Sequence, residues 1–294
     1  ISFILGQANF EKGISHYKQG QYAKAIEEFE QIVKTNPDYE SGHRILGDSY
    51  LRLKNYKKAI EAFENALQLQ SDHYISYFGL ALAFYNSGQF RNAVSILLKG
   101  EAQAGSPREQ YQLYQTRGSA YFNIREFDRA IADLQKAISI QRGNFKDLLQ
   151  LGISYYQTSA FEKAQEYLSQ AMSLSPDSAE AKQYLARLQF QQGINAIESN
   201  QYQKAANLLT NYVSIYPEDA DGWYNLGLAQ LFIPDLERAE EALLKSTELL
   251  SSNWEAFDRL GYIYEKKENY NRALQSYQRA HLIQQDPGIQ QSVE

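Results

Sequence analysis

The 294-residue chain contains no cysteine. Disulfides, thiolate metal sites and a cysteine nucleophile are thereby excluded together. The same lack leans toward an oxidising compartment such as a bacterial periplasm or cell envelope, with the cytoplasm left open. Histidine is scarce too: the four residues His16, His43, His73 and His281 form no HExxH or other close pair. They read as structural histidines rather than metal ligands. No run approaches the roughly 18 apolar residues that a membrane span needs, and the most apolar stretch, 75–85, is broken by small and polar residues. Basic charge is not in excess either, since 29 Lys and Arg stand against 35 Asp and Glu for a net charge of -6. A nucleic-acid partner is disfavoured, because such binding is largely phosphate neutralisation. No phosphate-cradling GxxxxGK[ST] loop and no nucleophile–base motif occurs, so the chain reads as non-catalytic, without metal or cofactor. Ile1 is preceded by no basic segment, and the expectation is that any targeting signal has been removed or lies outside this chain.

What is present is an ordinary globular composition, 44% hydrophobic and 22% charged, which excludes disorder and low complexity. Charge is distributed unevenly: residues 1–147 carry 18 basic against 16 acidic side chains, and residues 148–294 carry 11 against 19. The acidic excess reads as solvated helix surface, with Glu237, Glu240, Glu241 and Glu248 on outward positions of one helix.

A fixed period organises the chain. An aromatic residue, two mostly polar residues and an alanine recur, with Leu replacing the aromatic once. The alanines are Ala25, Ala59, Ala93, Ala130, Ala164, Ala205, Ala239 and Ala273, spaced 34, 34, 37, 34, 41, 34 and 34 residues apart. Twelve residues before each lies a small residue: Gly13, Gly47, Ala81, Gly118, Gly152, Gly193, Gly227 or Gly261. Glycine inside a helix costs about 1 kcal/mol relative to alanine, so its recurrence at one phase requires close approach by another helix. Four residues after each alanine stands Phe29, Phe63, Leu97, Leu134, Leu168, Leu209, Leu243 or Tyr277, on the same helix face as the alanine. The prolines all fall at breaks: Pro37, Pro176 and Pro217 near repeat ends, Pro107 and Pro287 two positions later, and Pro234 in a turn. Gly20, Lys54, Gly88, Arg125, Ser159, Asn200, Pro234 and Glu268 occupy the turn inside each repeat. Each unit reads as helix, short turn, helix.

This pattern resembles the tetratricopeptide repeat family, whose period and small/aromatic signature it shares. Eight repeats are expected in a single array over residues 1–294: 6–39, 40–73, 74–107, 111–144, 145–178, 186–219, 220–253 and 254–287. A shift of 180 residues overlays Phe10 on Phe190, Gly13 on Gly193 and Ala25 on Ala205, so repeats one to three and six to eight read as copies of one block. The seven-residue excess before repeat six is helix-forming and turns a helix within about 20° of two full turns, predicting one long helix there. The three-residue excess with Gly105, Ser106 and Pro107 predicts a loop.

The resemblance implies an all-α, right-handed superhelical solenoid that holds a protein or peptide in its concave groove. The family lines that groove with unit positions five, nine and twelve of each first helix. Here these are Phe10, Ile14 and Tyr17; Arg44, Asp48 and Leu51; Phe78, Leu82 and Tyr85; Gln115, Ser119 and Phe122. They continue with Leu149, Ile153 and Tyr156; Phe190, Ile194 and Ile197; Tyr224, Leu228 and Leu231; Asp258, Tyr262 and Glu265. Such a wall suits an amphipathic helix or an extended apolar peptide, while the position-twelve tyrosines equally fit packing between repeats. The Lys, Asn and Arg set with which some members grip a terminal carboxylate is supplied by no three consecutive units here. Two functions stay open: a non-catalytic scaffold or adaptor, and the docking or regulatory arm of a larger enzyme or envelope assembly machine. The second draws on the parallel between "ILGQANF" and "YLARLQF", which suggests a first helix continued from upstream.

Overall fold

The computed structural model describes residues 2–233 and 235–285. Pro234, Pro287 and the end of the eighth repeat lie outside the described residues. Among the described residues there are sixteen α-helices, one 3-10 turn and no strand. They form one pair per repeat: α1 (Ser2–Lys18) with α2 (Tyr22–Thr35), α3 (Glu40–Arg52) with α4 (Tyr56–Leu69), α5 (Tyr74–Asn86) with α6 (Phe90–Lys99), and α7 (Pro107–Asn123) with α8 (Phe127–Ile140). The series continues with α9 (Phe145–Gln157) and α10 (Phe161–Leu174), α11 (Ala179–Glu198) and α12 (Tyr202–Ile215), α13 (Ala220–Phe232) and α14 (Leu236–Leu249), then α15 (Trp254–Lys266) and α16 (Tyr270–Gln285). The chain divides into two compact units, Ile1–Ser175 and Pro176–Glu294. Helices α1 to α10 belong to the first, α11 to α16 to the second.

In six of the eight pairs the second helix carries the clearer apolar stripe, α9 and α15 being the exceptions. In α2 the buried residues are Ala25, Ile26, Phe29 and Ile32, spaced three and four apart on one face. The periodic glycines receive the bulky member of that stripe. A Cβ added to Gly47 would lie 2.8 Å from the Phe63 ring, on Gly118 2.9 Å from Leu134, on Gly152 2.7 Å from Leu168, and on Gly227 2.6 Å from Leu243. Any side chain there would force the paired helices apart. The receiving residues Phe63, Leu134, Leu168 and Leu243 are at most 1% exposed, and this burial outweighs the helix cost of the glycine.

The turns inside the repeats share one geometry. Gly20, Lys54, Gly88, Arg125, Ser159, Asn200 and Glu268 all have positive φ, between 57° and 79°. In the second repeat Lys54 N–H donates to the Leu51 carbonyl and Asn55 N–H to that of Tyr50, which caps the otherwise free carbonyls at the end of α3.

The two excesses resolve differently. Helix α11 has 20 residues where α3, α5, α9, α13 and α15 have 13, so the seven extra residues prolong the helix as expected. The three-residue excess is only partly loop. Helix α6 stops after 10 residues, a 3-10 turn spans Glu101–Gln103, and Ser106 caps α7 in a reciprocal box with Glu109. Pro107 opens that helix instead of lying in the loop, because the first helical residue needs no N–H donor.

Glu240 also departs from expectation. Glu237 and Glu248 are 84% and 69% exposed, but Glu240 is 19% exposed and accepts a 2.6 Å hydrogen bond from Lys267. Its repeat position faces the following helix pair, where Ile26 and Ala206 are buried in other repeats. His16 meets Gln21 Oε1 at 2.8 Å and His43 meets the Pro37 carbonyl at 2.8 Å, both in structural roles.

Candidate functional site

First helices of successive repeats lie side by side: α3 beside α5, α5 beside α7, α7 beside α9, and in the second unit α11 beside α13. In the first unit Lys146 Nζ, at the start of α9, comes within 3.4 Å of Tyr85 Oη near the end of α5, two repeats away, so side chains of non-adjacent first helices meet on one face.

The expected groove residues from Phe10 to Tyr262 all keep part of their surface. Of the wider series, Ser119, Leu149 and Ile153 do not line the face, being 3%, 7% and 2% exposed. A polar seam joins α7 to α9 along that stretch. Ser119 donates to Gln150 at 2.7 Å, and Asp147 accepts from Gln115 at 3.0 Å and Tyr111 at 3.1 Å.

Each aromatic on this face is half packed and half open. Tyr17, Tyr85 and Phe122 meet the first ring of their own second helix edge-on, Tyr22 at 5.7 Å, Phe90 at 5.2 Å and Phe127 at 6.1 Å. Phe10 packs on Phe29 and Tyr39, each at 5.7 Å, and Phe78 stacks on Tyr74 at 5.7 Å. Packing between helices and exposure on the face therefore coexist in one side chain. Helix α5 presents the most apolar stretch, with no charged residue along its length. Leu80, Ala81 and Ala83 are buried while Ile75 is 51% exposed.

Polar contacts tie neighbouring first helices together. Tyr17 Oη donates to Asp48, which also accepts from Arg52 at 3.3 Å; burial and that bond push the Tyr17 hydroxyl up to about 12. Two residues that reading positions five, nine and twelve passed over share this surface. Lys146 and Asn123 each approach Tyr85 Oη at 3.4 Å, and Lys146 also sits 5.5 Å over its ring. Ile75 and Lys146 stand at unit position two, so the missed signal is that the position before the stripe also faces inward. In the second unit Tyr262 is 41% exposed with Lys266 over its ring at 5.3 Å. Among the described residues no three His, Asp or Glu converge as metal ligands, and no helix is long and apolar enough to cross a membrane.

Tetratricopeptide-repeat models match residues 10–73, 46–109, 149–196 and 190–253, with further matches at 111–144 and 256–289. The chain belongs to the tetratricopeptide repeat family. Membership makes this repeat protein an interaction scaffold in general terms. Among solved structures it is similar to PilF from Pseudomonas aeruginosa, at 15% identity and a TM-score of 0.52, over 77% of this chain and 96% of that one. It is also similar to YrrB, a tetratricopeptide repeat protein with an unusual peptide-binding site, at 20% identity and a TM-score of 0.48, over 67% and 97%. A further match is TTC0263 of Thermus thermophilus, at 22% identity and a TM-score of 0.41, over 60% and 94%. At these identities the likeness concerns the fold alone.

Proposed function

We propose that this tetratricopeptide repeat protein is a non-catalytic scaffold that holds a peptide segment of a partner protein against the inner face of its first unit. The observation that supports this is helix α5. Its core side is satisfied by Leu80, Ala81 and Ala83, yet Ile75, Phe78, Leu82 and Tyr85 stay at least partly exposed on the other side. Partly open aromatic rings already fixed by packing on one edge lose little conformational freedom on binding, which suits them as anchors. Cation and amide donors from Lys146 and Asn123 beside Tyr85 supply a polar rim.

The test is selection of phage-displayed random dodecapeptides on the full chain, with titration of the enriched peptides against wild type and a Phe78→Ala, Tyr85→Ala variant. Anchors of this kind carry roughly 2 kcal/mol or more each, so the variant, losing both, is expected to bind more weakly by roughly a hundredfold or more, with little change in its thermal melt. Undiminished binding, or a melt that collapses while the folded fraction still binds normally, refutes the reading.

A further inference from the structure

Inside a unit, the second helix of one repeat receives the next repeat along a single stripe. One residue after the signature alanine, Ile26, Val94 and Ala206 are at most 8% exposed, and Glu240 at that position meets Lys267 at the end of α15. Three residues before the alanine, Tyr202 of α12 stacks on Phe232 of α13 at 4.5 Å. On α16 the same two positions hold Tyr270 and Leu274, which are 66% and 58% exposed. Tyr277, partly exposed, and His281, exposed, continue the line, and the four residues fall within about 60° of one another round the helix. Helix α10, the last of the first unit, instead puts the polar Gln165 at the position of Leu274 and leaves it exposed. Helix α1 is polar on its corresponding side. Lys12 and Ser15 are exposed there, whereas the same positions in other repeats hold Leu46 and Ser49, Leu80 and Ala83, or Leu226 and Ala229, all buried. A copy added head to tail would set Lys12 against the apolar stripe of α16 and bury its charge, which is costly.

We infer that α16 is a self-association surface, on which a second copy of this chain packs its own α16 antiparallel about a two-fold axis. The inference is independent of the groove reading. A two-fold contact requires a patch that is complementary to itself. The intervals from Tyr270 to Leu274, Tyr277 and His281 are four, three and four residues, the same from either end. Two antiparallel copies therefore set Leu274 against Tyr277 of the second copy, and Tyr270 against His281. No Asp, Glu, Lys or Arg enters the contact. Helix α16 has no acidic residue, and its two arginines are turned toward α15, Arg272 over the Tyr264 ring at 5.6 Å and Arg279 over Phe257 at 6.0 Å. In a chain of net charge -6, like copies thus meet on this stripe without like charges opposed across it. Two helices crossing through four such side chains cover roughly 1,000 Å² in all, the low end for a specific contact. The association is accordingly a micromolar one.

Sedimentation equilibrium of the full chain from low to high micromolar concentration tests this. The mass is expected to rise from that of one chain toward that of two. Leu274→Glu, which would bury an unpaired carboxylate in the contact, should raise the dissociation constant by roughly tenfold or more with the thermal melt unchanged, since Leu274 is exposed within one chain. Ser15→Arg on α1 should leave the association as it is. Because the chain has no cysteine, the register can be read as well: under mild oxidation with diamide, Leu274→Cys chains mixed with Tyr277→Cys chains should link to each other faster than either links to itself. A single-chain mass at every concentration, or a dimer that Leu274→Glu does not weaken, overturns the inference. A dimer weakened by Ser15→Arg is assembled head to tail and overturns it too. Should Leu274→Glu not fold, the cysteine pair decides alone, and linking no faster in the mixture than within either variant is the refuting result.

Discussion

Replacing Arg117 with methionine should destabilise the first unit more than any change on its open face. Arg117 is 4% exposed, and its fork grips Asp133, also 4% exposed, through Nε to Oδ2 at 2.6 Å and Nη2 to Oδ1 at 3.0 Å. Its Nη1 donates to Glu101 at 2.7 Å. Methionine fills most of the volume but leaves Asp133 as a buried carboxylate without a cation. Breaking a buried pair from one side costs about 3–5 kcal/mol. For a body of 150–250 residues, each kcal/mol moves the midpoint by roughly 2–4 °C, so a drop of about 10 °C is expected. The double change Arg117→Met, Asp133→Leu removes both charges, and Glu101, whose side chain is 38% exposed, returns to water. It should melt within a few degrees of wild type, since well-packed apolar replacements of buried pairs are often neutral or stabilising. Far-UV circular dichroism of the full chain measures both variants. A single variant that melts with wild type, or a double variant as damaged as the single one, refutes the view that an uncompensated charge is the cause.

Three further outcomes are expected. Glu268 sits at φ 57° and Gly88 at φ 79° with nothing within 4 Å of its would-be Cβ; Glu268→Gly should stabilise by about 1 kcal/mol and Gly88→Ala destabilise by a similar amount in urea melts, because left-handed backbone penalises a Cβ even in open space. Gly152→Ala gains about 1 kcal/mol of helix propensity, but its Cβ meets Leu168 Cγ at 2.7 Å and the Leu168 backbone nitrogen at 3.0 Å; overpacking of about 1–3 kcal/mol should leave a net loss in the same assay. Hydrogen bonding to Ser106 holds the Glu109 carboxyl, and to Arg117 the Glu101 carboxyl, below the ordinary range; a depressed carboxylate stabilises the fold above its unfolded pKa, so urea midpoints should fall as pH drops below about 4.3, by less in Ser106→Ala.

The repeat period, the pairing of glycines with bulky residues and the long α11 were legible because each follows from spacing alone. Other features depended on partners that spacing does not name. Lys54, Arg125 and Glu268 are poor turn formers by type, yet the two backbone bonds that close each turn override that weak preference. Glu240 looked outward by helix phase, but the next repeat covers its position. The Arg117–Asp133 pair had a readable signal: the same sixteen-residue separation joins Lys12 to Glu28 in the first repeat, so opposite charges at those two unit positions mark a pair inside a repeat. Ser119, Leu149 and Ile153 were expected on the groove but are buried, because groove positions carried from a family say nothing of local packing, such as the Ser119–Gln150 bond between α7 and α9.

The placement of apolar surface on α5 separates stability from function. Gly79 lies where a Cβ would approach the Phe63 ring to 2.3 Å, so α5 is pressed against the preceding repeat as tightly as any helix in the unit. With Leu80 and Leu113 at 2% and 0% exposure, its core side is complete. The open sides of Ile75, Phe78, Leu82 and Tyr85 contribute nothing to this core, although Phe78 and Tyr85 each pack one edge on a neighbouring ring. A helix apolar on all sides is ordinarily enclosed, and an exposed apolar stripe carries a solubility cost. Packing within the chain accounts for only one side of Phe78 and Tyr85, and under the proposed function a bound apolar segment would cover the open sides, with the stabilisation appearing as binding free energy.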